Sequence, residues 1–210
     1  MDFSRERILR LREEIKERLS PKRYDHTLGV ETAAFTLGSY LLPEKIQQLR
    51  CAALLHDVAK EVPQEEQLAL ISTESRVLEC ELEFKSLYHA FAAPELIRRD
   101  YPELASQDVL SAVFYHTTAD ACMSLFDEII FVADYIEPGR EYPECIETRE
   151  TLVASLNKSE SIEDKILALH RAMYSELTNT VAHLNERGAP VNPRTALALN
   201  WVKKKLGISD

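Results

Sequence analysis

The sequence is poor in glycine and in the alternating patterns that mark β-strands. Only five of its 210 residues are glycine, whereas leucine, alanine, glutamate and lysine, which favour helices, are abundant. The best strand candidate, the apolar run 129–132, continues into Ala133-Asp134-Tyr135 without a turn residue. It is therefore better interpreted as a buried helix. These absences predict an all-α protein with short connections.

Paired cysteines and long apolar runs are also missing. Cys51, Cys80, Cys122 and Cys145 form no C-x-x-C pair, which favours reduced core or surface thiols over a thiolate metal site. No apolar run approaches the roughly 18 residues that a membrane span needs, and the charged N-terminus lacks an apolar signal region. We therefore expect a cytoplasmic protein that does not bind membranes.

The charge balance is acidic, because 25 basic residues stand against 35 acidic ones and give a net charge of −10. This balance argues against DNA or RNA as the main ligand, since a phosphate backbone attracts basic surfaces. A small phosphate ester held by a metal ion remains compatible with it. The expected partner is a small molecule, and the sequence leaves monomer and homodimer open.

The length suits one domain with a sizeable core. Apolar spacing and the breaks at proline predict a helix over about 21–41 and a central helix over about 43–60. We expect a single domain over 1–210. Its core lies at about 20–140, and C-terminal helices at about 144–206 pack on it.

The segment LLHDVAK, residues 54–60, places a histidine, a carboxylate and a lysine in an otherwise apolar helical run. Such groups are not left in a core without partners. His56 and Asp57 would point about 100° apart on a helix, so they could meet only at a centre on its surface. Imidazole and carboxylate suit a cation such as zinc, iron, manganese or cobalt. Since two ligands alone bind weakly, further ligands must come from elsewhere.

His26 and Asp134 are the best candidates for those further ligands. His26 shares a helix face with Gly29 and Val30 and so faces the core, although a lone histidine there would more simply be a hydrogen-bonded core residue. Asp134 follows six residues of which five are apolar. An unpaired carboxylate in that position would be costly, so metal ligation is favoured over a structural ion pair.

Two further histidines have equally plausible structural explanations. His116 is predicted at the C-terminal end of a helix, where the helix dipole alone would favour it. Thr117 follows it, and its hydroxyl could bond a phosphate oxygen or an exposed carbonyl. His89 lies among small and apolar residues before a helix that Pro94 starts or kinks.

Two basic residues are candidates for phosphate contacts. Pro138-Gly139 should turn Arg140 back towards Asp134, and a guanidinium can bond two phosphate oxygens at once. Lys60 follows Asp57 by one helical turn and could offset charge on a phosphate chain. The alternative for Lys60 is a side chain that extends from a helix end into solvent.

The order of these residues resembles the ligand order of the HD superfamily of metal-dependent phosphohydrolases, with spacings of 30 and then 77 residues. Across most of residues 20–200 the chain looks like the YqeK family, the symmetrical bis(5'-nucleosyl)-tetraphosphatases. The motifs that carry the resemblance are YDHTLGV, AALLHDVAKE, LYHAFAAPEL, YHTTAD, FVADYIEPGRE and GAPVNPRTALALN.

The resemblance implies an HD-domain helical bundle with its metal site between central helices. The metal ligands that it implies are His26, His56, Asp57 and Asp134. The ion would most often be iron, and a second metal held by His89 or His116 with Asp57 bridging remains an alternative. The catalytic residues implied are Asp57, Lys60, His89 and His116. Substrate contacts are implied at His26, Asp57, Lys60, His89, His116, Thr117, Asp134 and Arg140.

Two positions depart from the pattern. Ala92 and Ala119 stand where family members often carry glycine, and each added methyl is expected to narrow the nucleotide pocket. The implied activity is symmetrical hydrolysis of diadenosine tetraphosphate and related dinucleoside polyphosphates to two nucleoside diphosphates. The alternatives are an HD phosphohydrolase of mononucleotides or deoxynucleotides and a nucleotide-binding regulator with little turnover.

Overall fold

The computed structural model describes residues 1–208 and contains no β-strand within them. The predicted all-α class is therefore confirmed. The α-helices are α1 (Arg5–Arg18), α2 (Pro21–Leu41), α3 (Ile46–Leu55), α4 (Gln64–Ile71), α5 (Tyr88–Asp100), α6 (Gln107–Tyr115), α7 (Leu125–Ile136), α8 (Pro143–Lys158), α9 (Ile162–Glu186) and α10 (Pro193–Leu206). Short 3₁₀ helices occupy Pro43–Lys45, Glu79–Glu83, Lys85–Leu87 and Pro102–Leu104.

Short polar side chains begin several of these helices. The hydroxyls of Ser4, Ser106 and Ser161 each accept a hydrogen bond from a backbone N–H in the first turn of the following helix. Ser124 and Asp127 form a reciprocal capping box at the start of α7. These bonds satisfy N–H groups that the helices themselves leave unpaired.

Helix α3 lies at the centre of the molecule, in contact with α1, α2, α6 and α7. Its residues from Cys51 to Leu55 are all fully buried. Ile8, Leu11 and Ile15 of α1 are fully buried as well and belong to the same core.

The C-terminal helices form a layer on one side of this core. Helix α9 packs on α7, and α8 and α10 both pack on α9. Leu169, Met173 and Leu177 of α9 are almost entirely buried. These contacts join the C-terminal helices to α7.

The central helix is shorter than predicted, since α3 ends at Leu55 rather than near Lys60. The ring Nδ1 of His56 lies 2.6 Å from the carbonyl oxygen of Ala53, the oxygen that an α-helix would offer to the N–H of Asp57. The chain then continues in tighter turns, in which Val58 and Lys60 donate to carbonyls three residues earlier. His56 and Asp57 consequently lie just beyond the helix end.

His89 was also placed wrongly relative to its helix. It lies in the first turn of α5, and Pro94 stands inside that helix rather than at its start. The 3₁₀ turn Lys85–Leu87 runs directly into α5, with the N–H of Tyr88 donating to the carbonyl of Lys85.

Candidate metal centre

The carboxylate of Asp57 is the centre of a buried polar cluster. Asp57 is only 3% exposed, and its two oxygens contact six side chains from four parts of the chain. One oxygen, Oδ1, lies 3.3 Å from His89 Nε2, 3.6 Å from His116 Nε2 and 4.0 Å from Lys60 Nζ. The other, Oδ2, lies 2.7 Å from Arg23 Nη1, 3.5 Å from His56 Nε2 and 4.0 Å from His26 Nε2.

Asp134 approaches the same cluster from α7. Its Oδ1 lies 3.0 Å from His26 Nε2 and accepts a hydrogen bond of 2.8 Å from Arg140 Nη2. The predicted return of Arg140 towards Asp134 is confirmed by this bond. The structure thus brings His26 and Asp134 to the HD dipeptide, although they lie on α2 and α7.

Three histidines of the cluster present the same ring nitrogen. Nδ1 of His56 and Nδ1 of His116 lie 2.6 and 2.7 Å from the carbonyl oxygens of Ala53 and Val113, three residues earlier in each case. Because a carbonyl only accepts hydrogen bonds, Nδ1 must carry the proton, and Nε2 presents a lone pair. Nδ1 of His26 is held in the same way by Glu137 Oε1, at 3.2 Å.

These lone pairs are what a metal site requires. His26, His56 and Asp134 each offer one ligand atom within 4.8 Å of the others, and so do His56, Asp57 and His116. The Nε2 atom of His56 is buried and makes no hydrogen bond to any described residue, and that of His26 faces the carboxylate oxygens of Asp134 and Asp57. Nitrogen and carboxylate oxygen together suit a borderline divalent cation. The donor set therefore fits a metal ion.

The electrostatics agree with a cation at this position. Burial lowers the pKa of His26, but its contacts with Asp134 and Glu137 outweigh burial and raise that pKa to about 9. Burial would raise the pKa of Asp134, yet the bond to His26 and the charges of His56 and Arg140 hold it far below its usual range. A protonated His26 and a bound cation are alternatives here, since each neutralises Asp134.

Burial also affects the groups around Asp57. Burial and then the neighbouring His116 hold the pKa of His89 well below its usual value, so the ring is uncharged at neutral pH. Burial lowers the pKa of Lys60 as well, and its Nζ lies 3.0 Å from His89 Nε2. For Asp57 itself, burial opposes ionisation, but His56 and His116 keep its pKa well below the usual range.

A cleft of about 1130 Å³ adjoins the cluster. His26 lies in its wall together with three basic side chains, Lys22, Arg23 and Arg140, and three acidic ones, Asp25, Glu137 and Glu141. Positive charge at the site is therefore local to Arg23 and Arg140, which contact Asp57 and Asp134.

Sequence reasoning missed Arg23, although a signal for it exists. Arg23 precedes His26 by three residues on α2, so both side chains lie on one face. Its guanidinium forms the shortest contact that Asp57 makes with any of the six side chains, at 2.7 Å. An arginine one turn before a candidate ligand histidine is therefore worth testing as a partner of the site.

Glu137 was missed because nothing near it in sequence indicates its partner. Its Oε1 contacts His26 Nδ1, and its Oε2 accepts a 2.5 Å bond from the N–H of Gly139. A Cβ at Gly29 would collide with this carboxylate. Arg149 of α8 fixes the segment by donating to the carbonyls of residues 136, 137 and 140.

The remaining predicted positions are distributed as follows. Thr117 is half-buried and lines a second cavity rather than the cleft beside His26. Ala92 and Ala119 are fully buried, and neither lines the cleft or that cavity. Ala119 instead adopts a positive φ of 54°, so its methyl group affects the backbone more than the pocket wall. All four cysteines are free thiols.

Comparison with known proteins places the chain among HD proteins. Residues 23–139 match the family model of the HD domain. A relative from Bacillus subtilis (strain 168), named "Bis(5'-nucleosyl)-tetraphosphatase, symmetrical", is 31% identical over 90% of this chain and 93% of its own length. A relative of the same name from Halalkalibacterium halodurans is also 31% identical, over 89% of this chain and 91% of its own.

A solved structure shows the same architecture. The crystal structure of a predicted HD superfamily hydrolase involved in NAD metabolism, from Clostridium acetobutylicum, superposes with a TM-score of 0.79 and 28% sequence identity. The match covers 93% of this chain and 96% of that one. Within residues 1–208, none of the helices combines the length and hydropathy needed to cross a membrane.

Proposed function

The chain belongs to the HD-domain family, and we propose that it is a symmetrical bis(5'-nucleosyl)-tetraphosphatase, the activity named for its 31% identical relatives. It hydrolyses diadenosine tetraphosphate, and related dinucleoside polyphosphates, to two nucleoside diphosphates. The observation that carries this proposal is the convergence on Asp57 of three histidine Nε2 atoms, each on a ring whose Nδ1 is held by an acceptor, beside a cleft lined by Arg23 and Arg140.

HD domains bind divalent metals, and the proposed ligands here are His26, His56, Asp57 and Asp134. Each contributes an atom to one of the two candidate sets, and His56 belongs to both. We propose iron as the ion, with manganese, cobalt or zinc as possible substitutes. His116 would serve a second ion, because it completes the set that contains Asp57.

The proposed chemistry is hydrolysis at phosphorus. When bound, a divalent ion lowers the pKa of water and withdraws charge from a phosphoryl oxygen. Asp57 orients the attacking water and accepts its proton, since it is buried among groups that keep it ionised. Arg23, Lys60 and Arg140 offset negative charge along the phosphate chain. A bond from the water oxygen to phosphorus forms as the bond to the leaving phosphate oxygen breaks.

The leaving oxygen needs a proton donor, and two histidines are near enough to Asp57 to supply one. The lowered pKa of His89 leaves its ring without a second proton at neutral pH. In the state without a second ion, His116, whose Nε2 lies 3.6 Å from Asp57 Oδ1, would carry a proton on that nitrogen and act as the general acid. His89 would hold the phosphate chain by hydrogen bonding as a neutral ring.

Domain organisation belongs to the same proposal. We propose that residues 1–210 act as one HD-type domain in which the C-terminal layer supports the site, as Arg149 supports the segment after α7. A cytoplasmic location, and a monomeric or homodimeric state, remain predictions.

The position of the broken bond tests the function. The purified chain, loaded with iron or manganese, is incubated with diadenosine tetraphosphate, and the digest is stopped early and separated by chromatography. We expect ADP as the sole nucleotide product, because the phosphorus attacked is the second from one nucleoside. Equal amounts of ATP and AMP would contradict the proposed register, and absence of turnover would overturn the proposal. Mononucleotides and deoxynucleotides in the same assay test the narrower specificity.

A further inference from the structure

The cleft of about 1130 Å³ beside His26 has two parts that differ in charge. Its deeper part holds the half-buried guanidinium groups of Arg23 and Arg140. These groups contact the carboxylates of Asp57 and Asp134, so they lie directly at the metal centre. Guanidinium groups in this position suit the phosphates of a substrate, because each can bond two oxygens at once.

The exposed part of the same cleft does not suit phosphate. Its charged side chains are Lys22, Asp25 and Glu141, all at exposed positions. One ammonium group against two carboxylates offers a phosphate chain no net attraction. The volume of the whole cleft nevertheless exceeds the roughly 300–1,000 Å³ of typical small-molecule pockets. The exposed part therefore has room for a bulky group without negative charge.

Helix α2 contributes an uncharged surface to this part of the cleft. Leu28 is a half-buried apolar residue of the wall, and Thr32 follows it by four positions. Residues four apart lie on the same face of a helix. Thr32 Oγ1 donates to the carbonyl of Leu28 at 3.0 Å, so its hydroxyl proton is already used within the helix. The surface is thus suited to apolar contact.

The segment between α7 and α8 adds an aromatic ring to the cleft. Tyr142 is 63% exposed, and its ring stacks on no other ring or cation within residues 1–208. Its backbone is held, because its carbonyl accepts bonds from the N–H groups of Cys145 and Ile146 in the first turn of α8. An uncovered aromatic ring on a fixed backbone is a platform on which a nucleobase can stack.

Tyr142 is also within reach of a molecule that Arg140 holds. The two residues are two positions apart, which limits the separation of their Cα atoms to about 7 Å. Both line the cleft. The guanidinium and the ring are therefore placed to contact neighbouring parts of one ligand, the first its phosphate and the second its base.

We propose that the exposed part of this cleft binds one nucleoside of the dinucleoside polyphosphate, with the base stacked on Tyr142 and the sugar against the uncharged surface of α2. The assignment rests on the proposed function. The guanidinium groups of the deeper part take the phosphates that join this nucleoside to the metal centre. The other half of the substrate lies on the side of His89 and His116.

Two substrates that differ only in this nucleoside test the assignment. Diadenosine tetraphosphate and adenosine 5'-tetraphosphate carry the same phosphate chain, but the second compound has a nucleoside at one end only. KM and kcat for both are measured on the full chain loaded with manganese. We expect Tyr142→Ala to raise KM for diadenosine tetraphosphate about tenfold. Its kcat should stay parental, because stacking remote from the reacting phosphorus stabilises ground state and transition state alike. KM for adenosine 5'-tetraphosphate should not change.

Two further variants serve as controls. Tyr142→Phe keeps the ring and should keep the parental KM for both substrates. Phe35→Ala removes another exposed aromatic ring of α2 that lies outside the cleft wall, and it should leave both KM values unchanged. Because Tyr142 is exposed, thermal unfolding of Tyr142→Ala should match that of the parent, which separates loss of stacking from loss of structure.

Other outcomes separate the subsite from the function. A parental KM for diadenosine tetraphosphate in Tyr142→Ala, or an equal rise for both substrates, overturns the subsite. If the parent still converts diadenosine tetraphosphate to ADP, the proposed function stands without it. If the parent does not turn over this substrate, the function fails, and calorimetric titration of the same two compounds decides the subsite. Weaker binding of diadenosine tetraphosphate alone in Tyr142→Ala would then support the subsite, and any other result would overturn it.

Discussion

Two buried polar clusters lie on either side of the turn from His116 to Ala119, and they differ in whether their atoms are satisfied. Around Asp57, imidazole nitrogens converge without completing one another's hydrogen bonds. Around Arg194 of α10, the charged groups instead satisfy one another's hydrogen bonds. The guanidinium bonds Glu81 at 2.7 Å, Asp120 at 2.7 Å and the carbonyl of Arg76 at 2.5 Å.

The Arg194 cluster is a structural ion-pair network. Glu81 is fully buried, and it also accepts bonds from the side chain of Asn192 and the N–H of Leu78. Each charge thus has opposite charges or donors beside it, which is how a buried ion pair remains tolerable. The comparison teaches that burial of charge does not by itself indicate function. Function is indicated instead by ligand atoms that lack partners and point at a common centre.

The largest expected effect is loss of the metal centre in Asp57→Ala. This change removes a proposed ligand and the group that orients water, and metal catalysis supplies several kcal/mol, so activity should fall about a thousandfold or more. Elemental analysis and an ADP-release assay measure the two losses. Asp100→Ala, which removes a surface carboxylate paired with Arg18, should keep both. Parental metal content and turnover in Asp57→Ala would refute the assignment.

Disruption of the Arg194 cluster should lower stability and leave metal binding intact. Arg194→Met leaves Glu81 and Asp120 buried without their cation, which typically destabilises by about 3–5 kcal/mol. Urea unfolding measures this change. Metal stoichiometry of the folded fraction should stay at the parental level. A variant that lost metal without losing stability would show that the two clusters are not separate in role.

A smaller effect is expected where a residue acts on the metal only through His26. Glu137→Gln weakens the bond that holds His26 Nδ1, and loss of such support costs about 10–100-fold in metal affinity. Gly29→Ala should have a similar effect, because the added Cβ displaces the Glu137 carboxylate.

Calorimetric titration of manganese measures the affinity, and the ring ¹⁵N shifts of His26, followed against pH in metal-free protein, report its pKa, which Glu137 helps to raise. Glu141→Gln, at an exposed position in the same segment, is the control. If Glu137→Gln kept both the parental affinity and the parental pKa of His26, Glu137 would have no positioning role.

Glu176 of α9 is another buried acidic group that lacks a full set of partners, and the pH dependence of protein stability tests its protonation state. Burial, and then the nearby charge of Asp134, raise the pKa of Glu176 well above its usual value, and its Oε2 has no hydrogen-bond partner among residues 1–208. The folded protein therefore holds this proton more tightly than the unfolded chain, and stability falls as pH rises from the ordinary pKa through the raised one.

Glu176→Gln cannot lose a proton, so its stability relative to the parent should increase as pH rises from 5 to 8, by about 1–3 kcal/mol, the range typical of an unsatisfied buried polar group. Thermal unfolding at several pH values measures the difference. Glu186→Gln, at an exposed position near the end of α9, should show no such trend over this range. A difference independent of pH would mean that Glu176 titrates normally.

The smallest effect is expected in the turn between the two clusters. Ala119→Gly relieves the positive φ at the expense of greater freedom in the unfolded chain, so stability should rise by up to about 1 kcal/mol. For a protein of this size that corresponds to a rise in Tm of about 2–4 °C. Ala182→Gly, within helix α9, should instead destabilise by a similar amount. A loss of stability in Ala119→Gly would show that the methyl group packs favourably.

The sequence by itself determined the helical class, most helix positions and the buried faces. Those features depend on local information: apolar spacing for α2 and α7, proline and serine at helix starts, and the low glycine content. It also identified the polar residues in apolar runs, His56, Asp57 and Asp134, because burial of such groups requires partners wherever they lie in the fold.

Only the tertiary structure decided which groups those partners are. Glu137 meets His26 across 111 positions, and Arg194 meets Glu81 across 113, distances over which no local pattern in one sequence specifies a contact. The early end of α3 is likewise a result of side-chain geometry. The His56 ring bonds the Ala53 carbonyl, which a continuing α-helix would bond through the N–H of Asp57. Side-chain geometry also separates the two buried clusters, because the same residue types can satisfy one another or leave ring nitrogens free for a metal ion.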